Sequence, residues 1–272
     1  MKQPIVSIIV HTKNSQRTIE EHLKSIKNQS YKYIEIIAVD NHSTDKTLEN
    51  LKKYTKKVFT YGPERSAQRN FGVKKSTGEY VYVPDSDMVL TKDVVKECVE
   101  KITKNPEIKA LIIPEKSFGQ GFWASCKALE RQCYLGDNTI EAARFFDKKV
   151  FVAVGGYDEK ITGPEDWDLP QRIKRKYKVD RISAFALHDE GDLSLLSLLK
   201  KKYYYGKKLS RYISKHSTKT NITQTIYILR PAFYKHWLLL ITHPITAIGM
   251  FFMLSLEQIA GFLGFINGKA VT

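Results

Sequence analysis

The feature that most constrains the fold is an alternation of short, apolar, β-branched segments with segments of helical periodicity. The apolar segments are Ile5–Val10, Ile34–Val39, Val58–Tyr61 and Tyr80–Val83. Segments of this kind are typical of strands that are buried on both faces. Strands that alternate with helices form right-handed βαβ units around a parallel sheet. The sequence therefore predicts an α/β fold, with a mostly parallel sheet and flanking helices.

Between and after these strands, apolar residues recur at helical spacing. The predicted helices are Thr18–Asn28, Lys46–Tyr54, Arg65–Lys75, Asp93–Lys104 and Phe118–Leu135. Ser43-Thr44-Asp45 is placed to cap the second of them, and in the last we expect Phe122, Trp123 and Leu129 to point inward. Further strands are predicted at Ala110–Pro114 and Ala142–Asp147. We expect these elements to form one uninterrupted core domain that extends to about His188.

Carboxylates follow two of the predicted strands directly. Asp40 ends the second strand, and Asp85-Ser86-Asp87 follows the fourth. In open α/β sheets ligands bind outside the carboxyl ends of the strands, near the switch in strand order. Two carboxylates one residue apart are suited to a hard divalent cation, which then holds a diphosphate. The alternative is an ordinary Asp-rich turn, since the tripeptide alone is common.

The net charge of +15 is concentrated towards the C-terminus. From Leu193 to Thr272 there are eleven Lys or Arg residues and one acidic residue, Glu257, so +10 of the charge lies there. Such a segment pairs with nucleic acid or with acidic lipid headgroups. The apolar sequence beside it favours lipid, and Lys200–Lys208 alternates cations with aromatic residues as headgroup-binding segments do.

The apolar part of this tail consists of Trp237–Ile241, a break at His243-Pro244, and Ile245–Ile266. The last segment would extend about 33 Å as a helix, enough to cross a bilayer. However, Glu257 lies in its second half, and a carboxylate in the middle of a membrane is costly. Three arrangements remain open: a full span, a buried helix of a soluble domain, and an interfacial or re-entrant attachment, which we favour.

Several motifs, taken in order, resemble the family 2 glycosyltransferases, inverting enzymes of the GT-A fold. The resemblance covers roughly the first 190 residues. It rests on five segments, namely Val10-His11-Thr12-Lys13-Asn14, Val39–Asp45, Ala67-Gln68-Arg69-Asn70-Phe71-Gly72, Gly78-Glu79-Tyr80 leading to Asp85-Ser86-Asp87, and Gly155-Gly156-Tyr157-Asp158 followed by Glu165-Asp166-Trp167-Asp168-Leu169. Each segment alone is weak, but five in order at suitable spacing are specific.

The resemblance implies a role for each matching residue. It assigns nucleotide binding to five residues: Thr12, Asp40, Asn41, Arg69 and Ser86. It assigns the binding of a divalent metal (Mn²⁺ or Mg²⁺) to Asp85, Asp87 and His188. It assigns catalysis to Asp166 as general base, with Glu165 beside it. Asp87 is expected to be the direct metal ligand. Asn41 departs from the Asp-Asp pair that is frequent in the family: its amide can still hydrogen-bond ribose or base but brings no charge.

Three of the candidates have an open alternative. His188 is either a metal ligand or a satisfied structural histidine. Arg172 either touches the diphosphate or belongs to a solvated helix face. Trp167 either covers the sugar or packs its loop.

Together these expectations describe three regions: a GT-A catalytic domain at 1–192, a basic helical juxtamembrane segment at 193–235, and an apolar, membrane-associated helical tail at 236–272. We expect transfer of a sugar from a nucleotide-sugar donor to a saccharide or lipid-linked acceptor. We also expect an anionic membrane surface as partner. Cys98, Cys126 and Cys133 are read as reduced, buried thiols, which places the protein at the cytoplasmic face of the cell membrane.

Two further alternatives are a polyprenyl-phosphate sugar synthase of the same fold and a non-catalytic nucleotide- or nucleic-acid-binding protein. The core shows no recognisable nucleic-acid module, so nucleic acid is not an expected partner. A sugar nucleotidyltransferase is disfavoured, because His11–Ser15 replaces the glycine-rich loop that would follow its first strand.

Overall fold

The computed structural model describes residues 3–216 and 224–269, which form two compact units. The first unit comprises 1–114, 142–159 and 165–188, and the second comprises 115–141, 160–164 and 189–272. The second unit therefore takes two inserted segments from within the range predicted as a single domain. Cys98, Cys126 and Cys133 are buried free thiols, as predicted.

The elements of the first unit alternate as the sequence predicts. In chain order they are β1 Val6–Thr12, α1 Ile19–Lys27, β2 Ile34–Asp40, α2 Thr47–Tyr54, β3 Val58–Thr60, α3 Arg65–Lys75, β4 Tyr80–Tyr82, β5 Met88–Leu90, α4 Val94–Lys104 and β6 Ile108–Ile112. After β7 Glu115–Gln120 and α5 Gly121–Tyr134, which belong to the second unit, they continue with β8 Ala143–Asp147, α6 Lys148–Ala153, α7 Glu165–Lys174, β9 Lys178–Arg181 and β10 Ala186–Asp192.

A seven-stranded sheet in the order β3-β2-β1-β4-β8-β6-β9 forms the centre of the first unit. All neighbours in it are parallel except β8, which is antiparallel to β4 and β6. Along β1, Ile8 and Val10 contribute to the core on one face of the sheet and Ile9 to the core on the other. This double burial explains why the strands appear as nearly continuous apolar runs. Strand order reverses between β1 and β4, which is where a ligand is expected.

The second unit is mainly helical. After α5 it contains α8 Leu195–Lys207, α9 Ser210–Lys215, a 3₁₀ turn at Tyr227–Leu229, α10 Pro231–Lys235, α11 Trp237–Thr242 and α12 Pro244–Lys269. Its core joins α5, α8, α10 and α12 through Leu129, Leu198, Phe233 and Met253. Within the described part of the chain, Pro244–Gly268 is the one helix whose length and composition would allow it to cross a membrane.

Two details of the predicted helix Phe118–Leu135 are wrong. Its first residues belong to strand β7, and the helix begins only at Gly121, whose positive φ of 83° turns the chain between the two. Phe122 also points outward and is 46% exposed, whereas Leu129 is buried as predicted. Strand β7 is only six residues long and runs directly into the helix. Its sequence pattern is therefore too short to be distinguished from the helical pattern that follows it.

Candidate active site

The carboxyl end of β1 lies between the two acidic segments that the sequence singled out. On one side Thr12 donates to Asp40 (Oγ1–Oδ1, 2.8 Å), and on the other His11 forms an isolated parallel bridge with Asp85. Asp40 and Asp85 thus flank β1 at the point where strand order reverses. The sheet places both carboxylates at the edge where a ligand is expected.

Asp40 and Asn41 fix the loops around this edge. Asp40 is fully buried and accepts from the Ser43 amide at 2.8 Å as well as from Thr12. The Asn41 amide group donates to the Pro63 carbonyl at 2.6 Å, so it ties the end of β2 to the loop before α3. Ser86 lies 3.1 Å from Ser15, hydroxyl to hydroxyl. These contacts hold the polypeptide that would surround a nucleotide.

Helix α3 carries Arg69 into the middle of the site. Gly72, one turn later, lies so close to β1 that a Cβ there would be 2.4 Å from Ile9 Cγ2. Arg69 is fully buried, and its guanidinium donates to Asp85 at 2.6 Å and to Asp166 at 2.7 Å. Arg65, one turn earlier on the same helix face, pairs with Glu165. Close packing of the helix on the sheet therefore brings two arginines to the acidic edge.

Arg144, on β8, pairs with the same two carboxylates. Its Nη2 lies 2.9 Å from Asp85 Oδ2, and its Nη1 lies 3.4 Å from Asp166 Oδ2. The Val83 amide donates to the Arg144 carbonyl, which sets this residue beside the end of β4. We call Arg65, Arg69, Arg144, Asp85, Glu165 and Asp166 the ion-pair cluster. Its three cations balance its three carboxylates.

The cluster keeps Asp85 and Asp166 ionised. Burial raises the pKa of Asp85, but Arg144 and Arg69 outweigh burial and hold it well below its usual value. The pKa of Asp166 is lowered in the same way, with Arg69 and then Arg144 as the opposing charges. Burial and Arg69 lower the pKa of His11 to about 4. His11 is therefore neutral at neutral pH, and its Nε2 lies 3.3 Å from Arg69 Nε and 3.2 Å from Asp85 Oδ1.

The loop at Gly155–Tyr157 is locked to α3. The Asn70 side chain donates to the Tyr157 carbonyl and accepts from the Tyr157 amide, both at 2.9 Å. Gly156 has φ 63°, and a Cβ there would be 2.6 Å from Asn70 Oδ1. The Tyr157 ring in turn lies 5.0 Å from the Arg69 guanidinium, centroid to Cζ. Two motifs that are distant in sequence therefore form one support for Arg69.

Asp87 and His188 form the part of the site that best suits a cation. Strand β10 pairs with β5 so that His188 is opposite Met88, and His188 Nε2 lies 3.3 Å from Asp87 Oδ2. Within residues 3–216 and 224–269, no group of three His, Cys, Asp or Glu side chains has the arrangement of a metal site. A carboxylate and an imidazole nevertheless fit a divalent cation whose remaining ligands are diphosphate oxygens and water. Asp85, by contrast, faces Arg69 and Arg144.

The first turn of α7 presents Glu165 and Asp166, where the helix dipole favours carboxylates. Trp167, in the same turn, is half-buried. Arg172 donates to Asp168 at 2.8 Å and to the carbonyls of Val154 and Gly156, both at 2.5 Å. Arg172 is therefore not part of a solvated helix face, and its contacts hold the Gly155–Gly156 loop.

Sequence reasoning gave no role to several residues that complete the site. They are His11, Arg65, Asn70, Arg144 and Tyr157. Three of them lie within the quoted motifs. Arg144 lies outside every motif, but a lone arginine inside the apolar run Ala142–Phe146 is a signal that would have identified it.

Comparison with known proteins places this geometry in context. The profile described as "Glycosyl transferase family 2" matches residues 7–158. An uncharacterised glycosyltransferase of Haemophilus influenzae is 32% identical over 205 residues, covering 69% of this chain and 64% of that protein. The "GalNAc(5)-diNAcBac-PP-undecaprenol beta-1,3-glucosyltransferase" of Campylobacter jejuni is 29% identical over 155 residues, covering 52% and 49%. The chain thus spans less than two thirds of these relatives.

Among solved structures, the mannosyltransferase PcManGT from Pyrobaculum calidifontis, in complex with GDP-Man and Mn²⁺, is similar with a TM-score of 0.69. The match covers 98% of this chain and 88% of that one, at 15% sequence identity. At this identity the likeness is one of fold. It extends over both units of the chain, including the helices of the second.

Proposed function

Because the chain belongs to glycosyl transferase family 2, we propose that it transfers a sugar from a nucleotide-sugar donor to an acceptor by a metal-assisted, inverting displacement. The observation that carries this proposal is the position of Asp166. It is an ionised carboxylate at the start of α7, and it shares Arg69 and Arg144 with Asp85 at the carboxyl edge of the sheet.

The donor occupies the edge formed by β1, β2 and β4. Thr12, Asp40, Asn41 and Ser86 line the nucleotide region, and Arg69 lies beside it. Asp87 and His188 would hold Mn²⁺ or Mg²⁺, with Asp85 next to them in the ion-pair cluster. Bound there, a divalent cation would neutralise negative charge on the diphosphate leaving group. Arg69 and Arg144 are preorganised cations that stabilise the same charge, since they are already buried and fixed.

Asp166 acts as the general base. An acceptor hydroxyl is a poor nucleophile until a carboxylate removes its proton, a contribution of about 10²–10⁴-fold. The lowered pKa of Asp166 ensures that this carboxylate is ionised at neutral pH. Glu165 is fully buried against Arg65 and sets the position of the first turn of α7. Attack from the face opposite the leaving group inverts the anomeric carbon.

The acceptor is a lipid-linked saccharide or phosphate at the cytoplasmic face of the membrane. Two observations support this part of the proposal. The second unit exposes apolar side chains along α11 and α12, and the relative from Campylobacter jejuni is named for an undecaprenol-linked substrate.

Substitution of Asp166 by Asn tests the proposal. Purified protein is assayed with UDP-, GDP- and dTDP-sugars in the presence of Mn²⁺, and kcat is measured with the best donor. Asp166→Asn should lower kcat by about 10²-fold or more, because the amide cannot accept the proton, while nucleoside diphosphate affinity is retained. The matched control is Glu100→Gln, which alters an exposed carboxylate on α4 of the same unit and should leave kcat unchanged. Near-normal turnover by Asp166→Asn would remove this residue from the mechanism.

A further inference from the structure

Helix α12 exposes its apolar residues along a single stripe. Seven apolar residues of this helix are each at least 48% exposed, namely Ile245, Ile248, Phe252, Ile259, Phe262, Leu263 and Ile266. Apart from the adjacent pair at 262 and 263, they follow one another at intervals of three, four or seven residues. This spacing places them on one side of the helix. The stripe is about 32 Å long at 1.5 Å per residue. We call it the apolar stripe.

The opposite side of α12 carries the charge. Glu257 is 1% exposed, and its carboxylate lies 3.0 Å from Lys202 Nζ on α8 and 3.6 Å from Lys127 Nζ on α5. Lys127 also pairs with Glu130 at 2.7 Å. Burial lowers the pKa of Lys202, but Glu257 outweighs it and raises that pKa above its ordinary value. A helix that faces water has its charges outside and its apolar residues inside. In α12, by contrast, Glu257 is buried and the apolar stripe is exposed, while Met250, Met253 and Leu254 pack in the core.

Close backbone packing fixes the rotation of α12. A Cβ on Gly264 would lie 2.1 Å from the Tyr203 carbonyl oxygen, and one on Gly268 would lie 2.4 Å from that of Lys207. The two glycines therefore allow α12 and α8 to approach backbone to backbone. Because rotation would break both this packing and the ion pairs of Glu257, the apolar stripe cannot turn into the core.

The surroundings of the stripe indicate its partner. On α11, Trp237, Leu238 and Ile241 are each more than half exposed and continue the apolar surface. The exposed cations of the same unit include Lys200, Lys201 and Lys207 on α8, Arg211 on α9 and Lys235 on α10. A second copy of the chain would bring another set of like charges close to these, whereas anionic headgroups pair with them while acyl chains cover the apolar residues.

We propose that α11 and α12 lie flat in the surface of an anionic membrane, with the apolar stripe among the acyl chains and Glu257 facing the protein. This inference rests on the membrane location proposed above and specifies its geometry: α12 enters one leaflet and does not cross the bilayer. A spanning α12 would either carry Lys127, Lys202 and Glu130 into the bilayer with it or separate Glu257 from its partners, and both are costly.

Flotation with lipid vesicles tests the surface. Full-length protein should bind vesicles of phosphatidylcholine and phosphatidylglycerol, and bind less as salt increases or as the anionic lipid is removed. The double variant Ile248→Ser, Ile259→Ser should reduce the partition coefficient by about tenfold or more per residue, since each loses a buried apolar side chain. The control Val152→Ser alters an equally exposed residue of the first unit and should bind as wild type.

Depth measurements test the geometry. Ile248→Cys and Phe262→Cys are labelled separately with an environment-sensitive fluorophore, the native thiols being buried. Quenching by lipids that carry a spin label at different depths should place both positions at the same depth. A spanning helix would separate them by about 21 Å along the bilayer normal, which would overturn the flat arrangement.

Absence of vesicle binding would refute the membrane location itself, and self-association without vesicle binding would assign the stripe to a second copy of the chain. Either result leaves the catalytic proposal to be decided by its own turnover assay.

Discussion

Removal of the Arg144 guanidinium tests the ion-pair cluster most sharply. In Arg144→Met the side chain keeps most of its length but loses the charge that lies 2.9 Å from Asp85 and 3.4 Å from Asp166. Both carboxylates keep Arg69 as a partner, at 2.6 and 2.7 Å. The variant therefore weakens the cluster without leaving either acid unpaired.

The expected loss of stability follows from this geometry. Removing one partner from a buried ion pair costs about 3–5 kcal/mol when the other charge is left alone. Since Asp85 and Asp166 are 20% and 18% exposed and retain Arg69, we expect about 2–3 kcal/mol for Arg144→Met. For a chain of this size that corresponds to a decrease in Tm of roughly 5–10 °C.

The same variant should also change the acid dependence of stability. Both carboxyl groups have folded-state pKa values below their ordinary value of 3.8. Their stabilising contribution is therefore present above that value and is lost as the pH falls below it. Without Arg144 the folded-state pKa values rise towards the unfolded-state value, so less stability is left to lose and the decrease in Tm on acidification becomes smaller.

Thermal melts of the wild type and Arg144→Met, followed by circular dichroism from neutral pH down to about pH 2, measure both effects. The matched control is Lys178→Met. Lys178 pairs with Glu107 at 3.4 Å, but both side chains are more than half exposed, so its loss should cost about 0–1 kcal/mol. If Arg144→Met melts like Lys178→Met across this pH range, Arg144 does not hold the two acids as described.

Two further predictions concern the cation and the second unit. Asp87→Ala should abolish metal-dependent binding of nucleoside diphosphate, and His188→Ala should weaken the affinity for Mn²⁺, both measured by calorimetry. If the wild type binds nucleoside diphosphate equally well with and without chelator, the metal site is contradicted. Gly264→Ala should lower Tm by several degrees, because its Cβ would lie 2.1 Å from the Tyr203 carbonyl oxygen. Gly261→Ala should not, because its Cβ would lie 3.9 Å from the Lys202 carbonyl oxygen, an ordinary contact distance. Indistinguishable melts for the two variants would show that α12 and α8 are not packed through this glycine.

Much of the first unit could be predicted from sequence because its strands are buried on both faces. Strand β1, for example, contributes to both cores, and only an apolar, β-branched run fits there. Strands β7 and β9 could not be predicted. Their residues, Glu115–Gln120 and Lys178–Arg181, are polar and partly exposed, and they become strands through pairing with distant segments rather than through local pattern.

The same distinction applies to the site. The positions of Asp40 and Asp85 follow from topology alone, because Asp40 ends β2, Asp85 follows β4, and both strands neighbour β1. The partners of Asp85 did not follow, because Arg144 reaches it from an antiparallel strand distant in sequence. Likewise, the sequence indicated that Glu257 would be costly in a membrane, but only the packing of α12 supplies Lys202 and Lys127 as its partners.

The anomeric configuration of the transferred sugar tests the central claim most directly. The purified protein is incubated with UDP-, GDP- and dTDP-sugars and Mn²⁺, and the anomeric proton of the first-formed product is followed by ¹H NMR. An ionised Asp166 acting as general base opposite the leaving diphosphate predicts metal-dependent consumption of one donor and a product of inverted configuration. A product that retains the configuration of the donor would contradict the direct displacement proposed for this site.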